Sequence, residues 1–211
     1  MQESDRFNPE IRKLPGDKDK VHYRIPLKLF NSGDWAKIIP PARAILPVIG
    51  VYASDTGRAW PGIKLISKGS GYKDHHSIQK GMRSLIETGL LEREKVGRHN
   101  KYYLKGNAIW LGHSSFPIYK DVIEGGYWAG LLPCEKAVFP LLATKASISN
   151  PEVEDMGDPL VHSIGRLQPA KWIRLSGVTR PSFYKGVYGL VNKGWINFYE
   201  ENQYIVYLKH V

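Results

Sequence analysis

The sequence predicts an α+β fold, mainly α, built from two winged helix-turn-helix domains in tandem, each with three helices and a β-hairpin wing. Three observations lead there. Two blocks of sequence recur in the same order in the two halves of the chain. Within each copy, apolar residues follow helical spacing through three segments. After the third segment the pattern changes to paired strands.

The first block is Gly33-Asp-Trp-Ala-Lys-Ile-Ile-Pro-Pro-Ala-Arg-Ala-Ile-Leu-Pro, which recurs as Gly126-Tyr-Trp-Ala-Gly-Leu-Leu-Pro-Cys-Glu-Lys-Ala-Val-Phe-Pro. Without a gap, Gly33, Trp35, Ala36, Pro40, Ala44 and Pro47 match Gly126, Trp128, Ala129, Pro133, Ala137 and Pro140. Upstream, Ile25-Pro26 is aligned with Phe116-Pro117. The second block runs from Lys80-Gly81 to Gly89-Leu90-Leu91 and matches Lys185-Gly186 to Gly194-Trp195-Ile196. Domains at 21–110 and 111–211 follow, after a flexible charged tail at 1–20. The alternative is one continuous domain with coincidental motifs. Residues 149–168, acidic and containing Pro and Gly, read as an inserted surface loop.

The elements follow in order. Pro40 to about Ala53 is apolar at helical spacing, with Pro at its start, and Pro47 and Pro140 predict a kink at one place in both copies. A short second helix is expected from Pro61 through Ile63, Leu65 and Ile66, and again from Pro169 through Trp172, Ile173 and Leu175. Glycine turns follow, at Gly69-Ser-Gly71 and Ser176-Gly177. Asp74 and Thr179 then suit the N-cap of a third helix. Its buried stripe is read as Ile78, Met82, Leu85 and Ile86 in one copy and Phe183, Val187, Leu190 and Val191 in the other. Leu90–Val96 and Lys101–Leu104, with Gly97–Asn100 between them, form the first hairpin. Residues 195–199 and 203–208, around Glu200-Glu-Asn202, form the second.

The stretch from Gly57 to Glu92, with Trp60-Pro-Gly, Gly69-Ser-Gly71 and Leu85-Ile-Glu-Thr-Gly-Leu-Leu, resembles the winged-helix domains of bacterial plasmid and phage replication initiators. It is also similar to helix-turn-helix regulators generally. The resemblance covers that stretch, with a weaker echo at 169–196. It implies a role in replication initiation on a plasmid, phage or other mobile element.

Charge points the same way. The chain has 30 Lys and Arg against 20 Asp and Glu, a net charge of +10, which favours a polyanionic partner. Residues 1–110 hold 20 of the basic and 11 of the acidic side chains, so the first half is the more basic. With Ile78, Met82 and Leu85 turned inward, Lys73, His75, His76, Gln79, Lys80 and Arg83 are left to face duplex DNA. In the second copy the outward set is Arg180, Ser182, Tyr184 and Lys185. The first wing adds Arg93, Lys95, Arg98, His99 and Lys101 as phosphate or minor-groove contacts, whereas Glu200 and Glu201 in the second wing would be repelled. Domain 2 is therefore expected either to bind through its helix alone or to mediate dimerisation. In the tail, Arg6, Arg12, Lys13, Lys18 and Lys20 are placed to reach a groove if the tail orders on DNA.

Other function classes find little support. The single Cys134, read as a buried structural thiol, allows no intrachain disulfide and no thiolate zinc cluster. Asp74-His75-His76 resembles the signature of a metal phosphoesterase family, but the further acidic motifs are missing. Adjacent helical residues also diverge by about 100°, a poor chelate. There is no Walker-type phosphate loop. The reading is therefore a non-enzyme with no cofactor and no metal. No run approaches the ~18–20 apolar residues of a membrane span and the first twenty residues lack a signal-peptide core, so a soluble cytoplasmic protein is expected. Its partners are double-stranded DNA and, beyond that, itself as a dimer or replication proteins. A transcriptional regulator with the same chemistry and a protein–protein adaptor are the alternatives.

Overall fold

The computed structural model describes residues 21–54, 56–109, 115–146, 161–198 and 203–207, with the side chains of 161–164 set aside. The fold is α+β, with small antiparallel sheets. The first half runs β1 (His22–Pro26), α1 (Leu27–Asn31), α2 (Asp34–Lys37), α3 (Pro40–Val51), β2 (Arg58–Ala59), α4 (Ile63–Ser70), α5 (His75–Glu87), β3 (Leu91–Val96) and β4 (His99–Leu104). The second runs β5 (Ser115–Tyr119), α6 (Lys120–Glu124), α7 (Pro133–Lys145), β6 (Val161–Arg166), α8 (Pro169–Ser176), α9 (Arg180–Asn192), β7 (Ile196–Phe198) and β8 (Gln203–Tyr207). Helix, strand, two helices and hairpin thus occur twice, with sheet orders β2-β4-β3 and β6-β8-β7. A further sheet pairs β1 with β5.

Several expected boundaries move. Helix α4 starts at Ile63 rather than Pro61, because Gly62 is extended and serves as N-cap. Helix α3 ends at Val51. The first hairpin turns on Gly97-Arg98 alone, with Val96 opposite His99, so the ladder extends two residues further than the expected strand at Lys101. The expected loop at 149–168 contains β6, a strand with only a non-local partner, β8. Residues 1–20, 147–160 and 199–202, hence the tail, the acidic stretch and Glu200 and Glu201, lie outside the described residues. The Ile25–Phe116 alignment is displaced by two. The spacing that takes Trp35 to Trp128 also takes His22–Pro26 to Ser115–Tyr119 and Leu27–Asn31 to Lys120–Glu124.

Each long helix packs on the α5-type helix of its own half through a glycine. A Cβ on Gly81 would lie 2.7 Å from Ile45 Cδ1 and 3.0 Å from the backbone of Pro41 and Ala42; one on Gly186 would lie 2.9 Å from Cys134 O. The stripe Ile78, Met82 and Leu85 is buried, as is Phe183, Val187 and Leu190. Ile86 is instead 38% exposed and Val191 half-buried, because each stands about 100° round the helix from the leucine before it. Cys134 is half-buried near the start of α7, not fully buried as expected.

The halves are joined by exchange of equivalent contacts. The buried Trp35 indole donates to Ala137 O at 2.9 Å, and the buried Trp128 indole donates to Ala44 O at 2.9 Å. Gly71 and Gly177 end α4 and α8 in the left-handed conformation, φ 80° and 65°. Gly71 lies against Ala129, where a Cβ would come within 2.5 Å of its carbonyl oxygen; Gly177 lies against Ala36, where it would come within 2.6 Å of the Cα. Tyr52 donates to Glu124 at 2.8 Å, and Lys145, its equivalent, donates to Asn31, the equivalent of Glu124, at 2.9 Å.

Two buried cations also stand at equivalent positions. Arg43 donates to Trp35 O, Ala36 O and Gly177 O, and Lys136 to Ala129 O and Leu131 O. Burial pulls Arg43 down to about 10 and Lys136 down to about 8. Next to Lys136 the two halves solve one problem differently. The backbone N–H of Ile39 donates to Ser84 Oγ, whereas that of Leu132 donates to Glu135 Oε2, which also pairs with Lys193 at 2.6 Å. Gly189 stands where the first half has Ser84, and a Cβ there would collide with Glu135 Oε1.

Two predictions follow from this packing. Gly189→Ser alone should lose about 1–3 kcal/mol by overpacking, and Glu135→Ala in the same chain should recover most of it by recreating the Ala42–Ser84 arrangement; additive losses in a denaturation cycle would refute the coupling. The lowered value of Lys136 means that the unfolded chain holds the extra proton between about pH 8 and 10.5, so this site stabilises increasingly as pH rises through that window. Urea unfolding of wild type and Lys136→Met at pH 7.5 and 9.5 should show wild type gaining on the order of 1 kcal/mol relative to the variant; parallel profiles would contradict burial of the ammonium.

Candidate nucleic-acid interface

Helix α5 starts cleanly. Gly71 stops α4, three residues turn the chain, and the Asp74 carboxylate accepts the Ser77 N–H at 2.6 Å. That hydrogen bond holds the Asp74 carboxyl below its usual range. Since Ile78, Met82 and Leu85 point into the core, the 3.6-residue period turns His75, His76, Gln79, Lys80 and Arg83 outward, and all five are exposed. Lys73 is exposed in the turn before them. None of these cations takes part in an ion pair among the described residues. Their charge is therefore free to meet an anion.

The first hairpin, β3–β4, divides into two faces. Residues directly opposite in an antiparallel pair share a face, and neighbours along a strand alternate. Arg93 opposite Tyr102, and Lys95 opposite Asn100, stand on the side of Leu91, Tyr102 and Leu104, the side packed on the core. Lys101 stands on the other side, opposite Glu94. It is half-buried, with its ammonium 5.5 Å from the centre of Trp60 and 5.0 Å from that of Tyr103. On the same outer face Tyr103 donates to Glu94 at 2.8 Å, and Lys105 pairs with Glu92 at 2.8 Å. Lys101 is thus separated from Arg93 and Lys95, which stand on the other face of the hairpin. Arg98 and His99, at the tip, are exposed.

In the second half the expected set separates similarly. Arg180 and Lys185 are exposed on α9. Ser182 is half-buried, and its hydroxyl pairs with Thr179 Oγ1 at 3.0 Å; Thr179 is the N-cap residue, but its side chain accepts no backbone N–H of the helix. Tyr184 is half-buried, edge-on to Phe183, with the Arg180 guanidinium 6.0 Å from its ring centre.

Two outward residues escaped the sequence reading. Tyr188 is 59% exposed and occupies the position of Arg83; Phe198 is 39% exposed and occupies that of Arg93. The repeat alignment carried the signal: equivalence fixes the outward position, and only the residue type differs. The second surface is consequently aromatic where the first is cationic.

Comparison with protein-family models, with curated proteins and with solved structures yields no match.

If the inner wing face meets phosphate, Arg93→Ala and Lys95→Ala should each weaken duplex DNA binding severalfold and flatten the salt dependence by about one counterion. Lys101→Ala should leave both unchanged. Fluorescence anisotropy over a KCl series measures both quantities, and equal effects from all three variants would remove the distinction between the faces.

Proposed function

We propose that this chain is a sequence-specific duplex-DNA-binding protein with two winged-helix units, acting as a replication initiator of a plasmid, phage or other mobile element. One observation carries the binding reading: a helix face of His75, His76, Gln79, Lys80 and Arg83, exposed and free of ion pairs among the described residues, with a wing whose Arg93 and Lys95 are exposed as well. The recurring order of helix, strand, two helices and hairpin supports the winged-helix assignment. A helix fits the major groove, where Gln79 has the donor–acceptor pair that suits adenine and Arg83 the fork that suits guanine. Lys80, Arg93 and Lys95 supply phosphate contacts, which hold register without reading sequence. The replication role rests on the resemblance of residues 57–92; a transcriptional regulator would use the same chemistry.

No helix among the described residues is long and apolar enough to cross a membrane. A second reading, in which the second unit docks a partner protein, draws on exposed Tyr188 and Phe198.

Selection of bound duplexes from a random pool tests the proposal, comparing wild type with Gln79→Ala/Arg83→Ala and Arg180→Ala/Lys185→Ala. A recovered motif, altered in different parts by the two pairs, is expected. Failure to enrich any motif, with weak binding lost at moderate salt, would leave the adaptor reading in its place.

A further inference from the structure

We infer that the outer face of the sheet β2-β4-β3 is a docking surface for a protein segment that carries carboxylates next to one aromatic or aliphatic side chain. This face is the one turned away from Arg93 and Lys95, so the inference does not rest on the DNA-binding reading above. Its centre is Trp60, which follows β2 and is 56% exposed. The architecture does not require a tryptophan there. In the second half the ladder pairs Gly165 with Tyr204 as it pairs Ala59 with Tyr102, which puts Arg166 at the position of Trp60. Arg166 is exposed too. The same position thus accepts a charged side chain, and the indole in water serves no packing need.

The charges around the indole are of two kinds, answered and unanswered. Glu92 pairs with Lys105 at 2.8 Å, and Glu94 accepts the Tyr103 hydroxyl at 2.8 Å. Arg58 lies opposite Tyr103 in the β2–β4 pair, hence on the same face, and is exposed. The Lys101 ammonium stands 5.5 Å from the ring centre of Trp60 and 5.0 Å from that of Tyr103, a cation–π arrangement with both. Neither Arg58 nor Lys101 takes part in an ion pair among the described residues. Two cations without a carboxylate therefore flank an exposed indole. The rings already place Lys101, so a carboxylate that reaches it costs little side-chain freedom.

This arrangement selects among anions. Arg58, Lys101 and Lys105 against Glu92 and Glu94 leave this face a single net positive charge. A phosphate backbone gains affinity with each phosphate neutralised, and here it would also meet two carboxylates. A peptide avoids both difficulties. It can set one or two carboxylates on Arg58 and Lys101 and lay an apolar side chain on Trp60, with Glu92 and Glu94 left at the rim. Protein interfaces concentrate their binding energy in a few such tryptophan and arginine anchors. Strands ~4.8 Å apart make a three-stranded face about 10 Å wide, which an extended segment crosses in about three to five residues at ~3.4 Å each. Because Arg93 and Lys95 stand on the opposite face, the partner and duplex DNA are compatible on one chain.

The test uses the full chain. Phage-displayed random peptides are selected on it, and the enriched peptide is synthesised with a fluorescein label and titrated by anisotropy. The expected peptides carry Asp or Glu next to an aromatic or aliphatic residue. Their binding should fall at least tenfold in Trp60→Ala and severalfold in Lys101→Ala, with folding checked by circular dichroism. It should persist in Trp60→Phe, which keeps a ring, and in Arg93→Ala/Lys95→Ala, which alters the other face. The variant Arg58→Glu/Lys101→Glu, with Trp60 intact, should select basic peptides instead. Enrichment of no acidic peptide, or of peptides whose binding survives Trp60→Ala, overturns the inference. So does oligothymidylate binding as tight as that of the best peptide and lost in Trp60→Ala, which gives the face to unpaired nucleic acid. Each of these results leaves the duplex-binding reading standing, and failure to recover a duplex motif leaves this inference standing.

Discussion

The arrangement of the molecule depends on two buried indole N–H groups, each answered by a carbonyl of the opposite half. Trp35 and Trp128 are wholly buried, and a buried donor left without a partner costs about 1–3 kcal/mol. Each finds its acceptor on an alanine of the other half's long helix, three residues before a proline inside that helix. A proline removes a rung of the helical ladder and disturbs the turn before it. The positions that match most strictly between the copies are therefore the parts of one joint: Trp35, Ala44 and Pro47 against Trp128, Ala137 and Pro140. Neither tryptophan is satisfied within its own half, and neither half's first segment packs only at home.

The buried cations close the same joint from the other side. The carbonyls at the end of each tryptophan turn point inward, away from water, and Arg43 or Lys136 supplies the missing donors. Burying a charge for this purpose is costly, and the lowered values of both groups record that cost. Lys136 carries the neighbouring Glu135, itself bound to Lys193, and the space for that carboxylate exists because position 189 has no side chain. Arg43 needs no such companion, since Gly177 O offers it a third acceptor across the joint. Equivalent positions have thus kept a function while exchanging the chemistry that performs it.

Much of this was legible in the sequence, and the reason for the remainder is specific. Helical spacing located α3, α4, α5 and their counterparts, because an amphipathic stripe is a local signal. The outward faces at Gln79–Arg83 and Arg180–Lys185 followed from those stripes without further information. Strands β2 and β6 were missed since one is two residues long and the other pairs with β8 across some forty positions of chain. The exchange between halves was illegible for a deeper reason. Matching residues say that two environments are alike; they do not say whether Trp35 meets its own alanine or the one belonging to the other copy. Composition counts Lys101 alongside Arg93 and Lys95, whereas the pleat puts it with Trp60, Tyr103 and Glu94 on the opposite face of the hairpin.

Symmetry within and asymmetry without place the two halves under different constraints. Replacing Gly81 or Gly186 would force helices apart, and replacing either tryptophan would orphan a carbonyl–indole pair, so interior residues are held by geometry that both halves must share. No such coupling reaches Arg83 and Tyr188, or Arg93 and Phe198, which contact solvent. Those positions can differ without disturbing the joint, and at both the first half carries a cation where the second carries an aromatic. A shared interior with independently variable outer faces separates where the two surfaces stand from what each presents. Long-range attraction to a polyanion would then come chiefly from the first half, whose cations act at a distance, while the aromatic second half contributes only once in contact, where short-range complementarity decides.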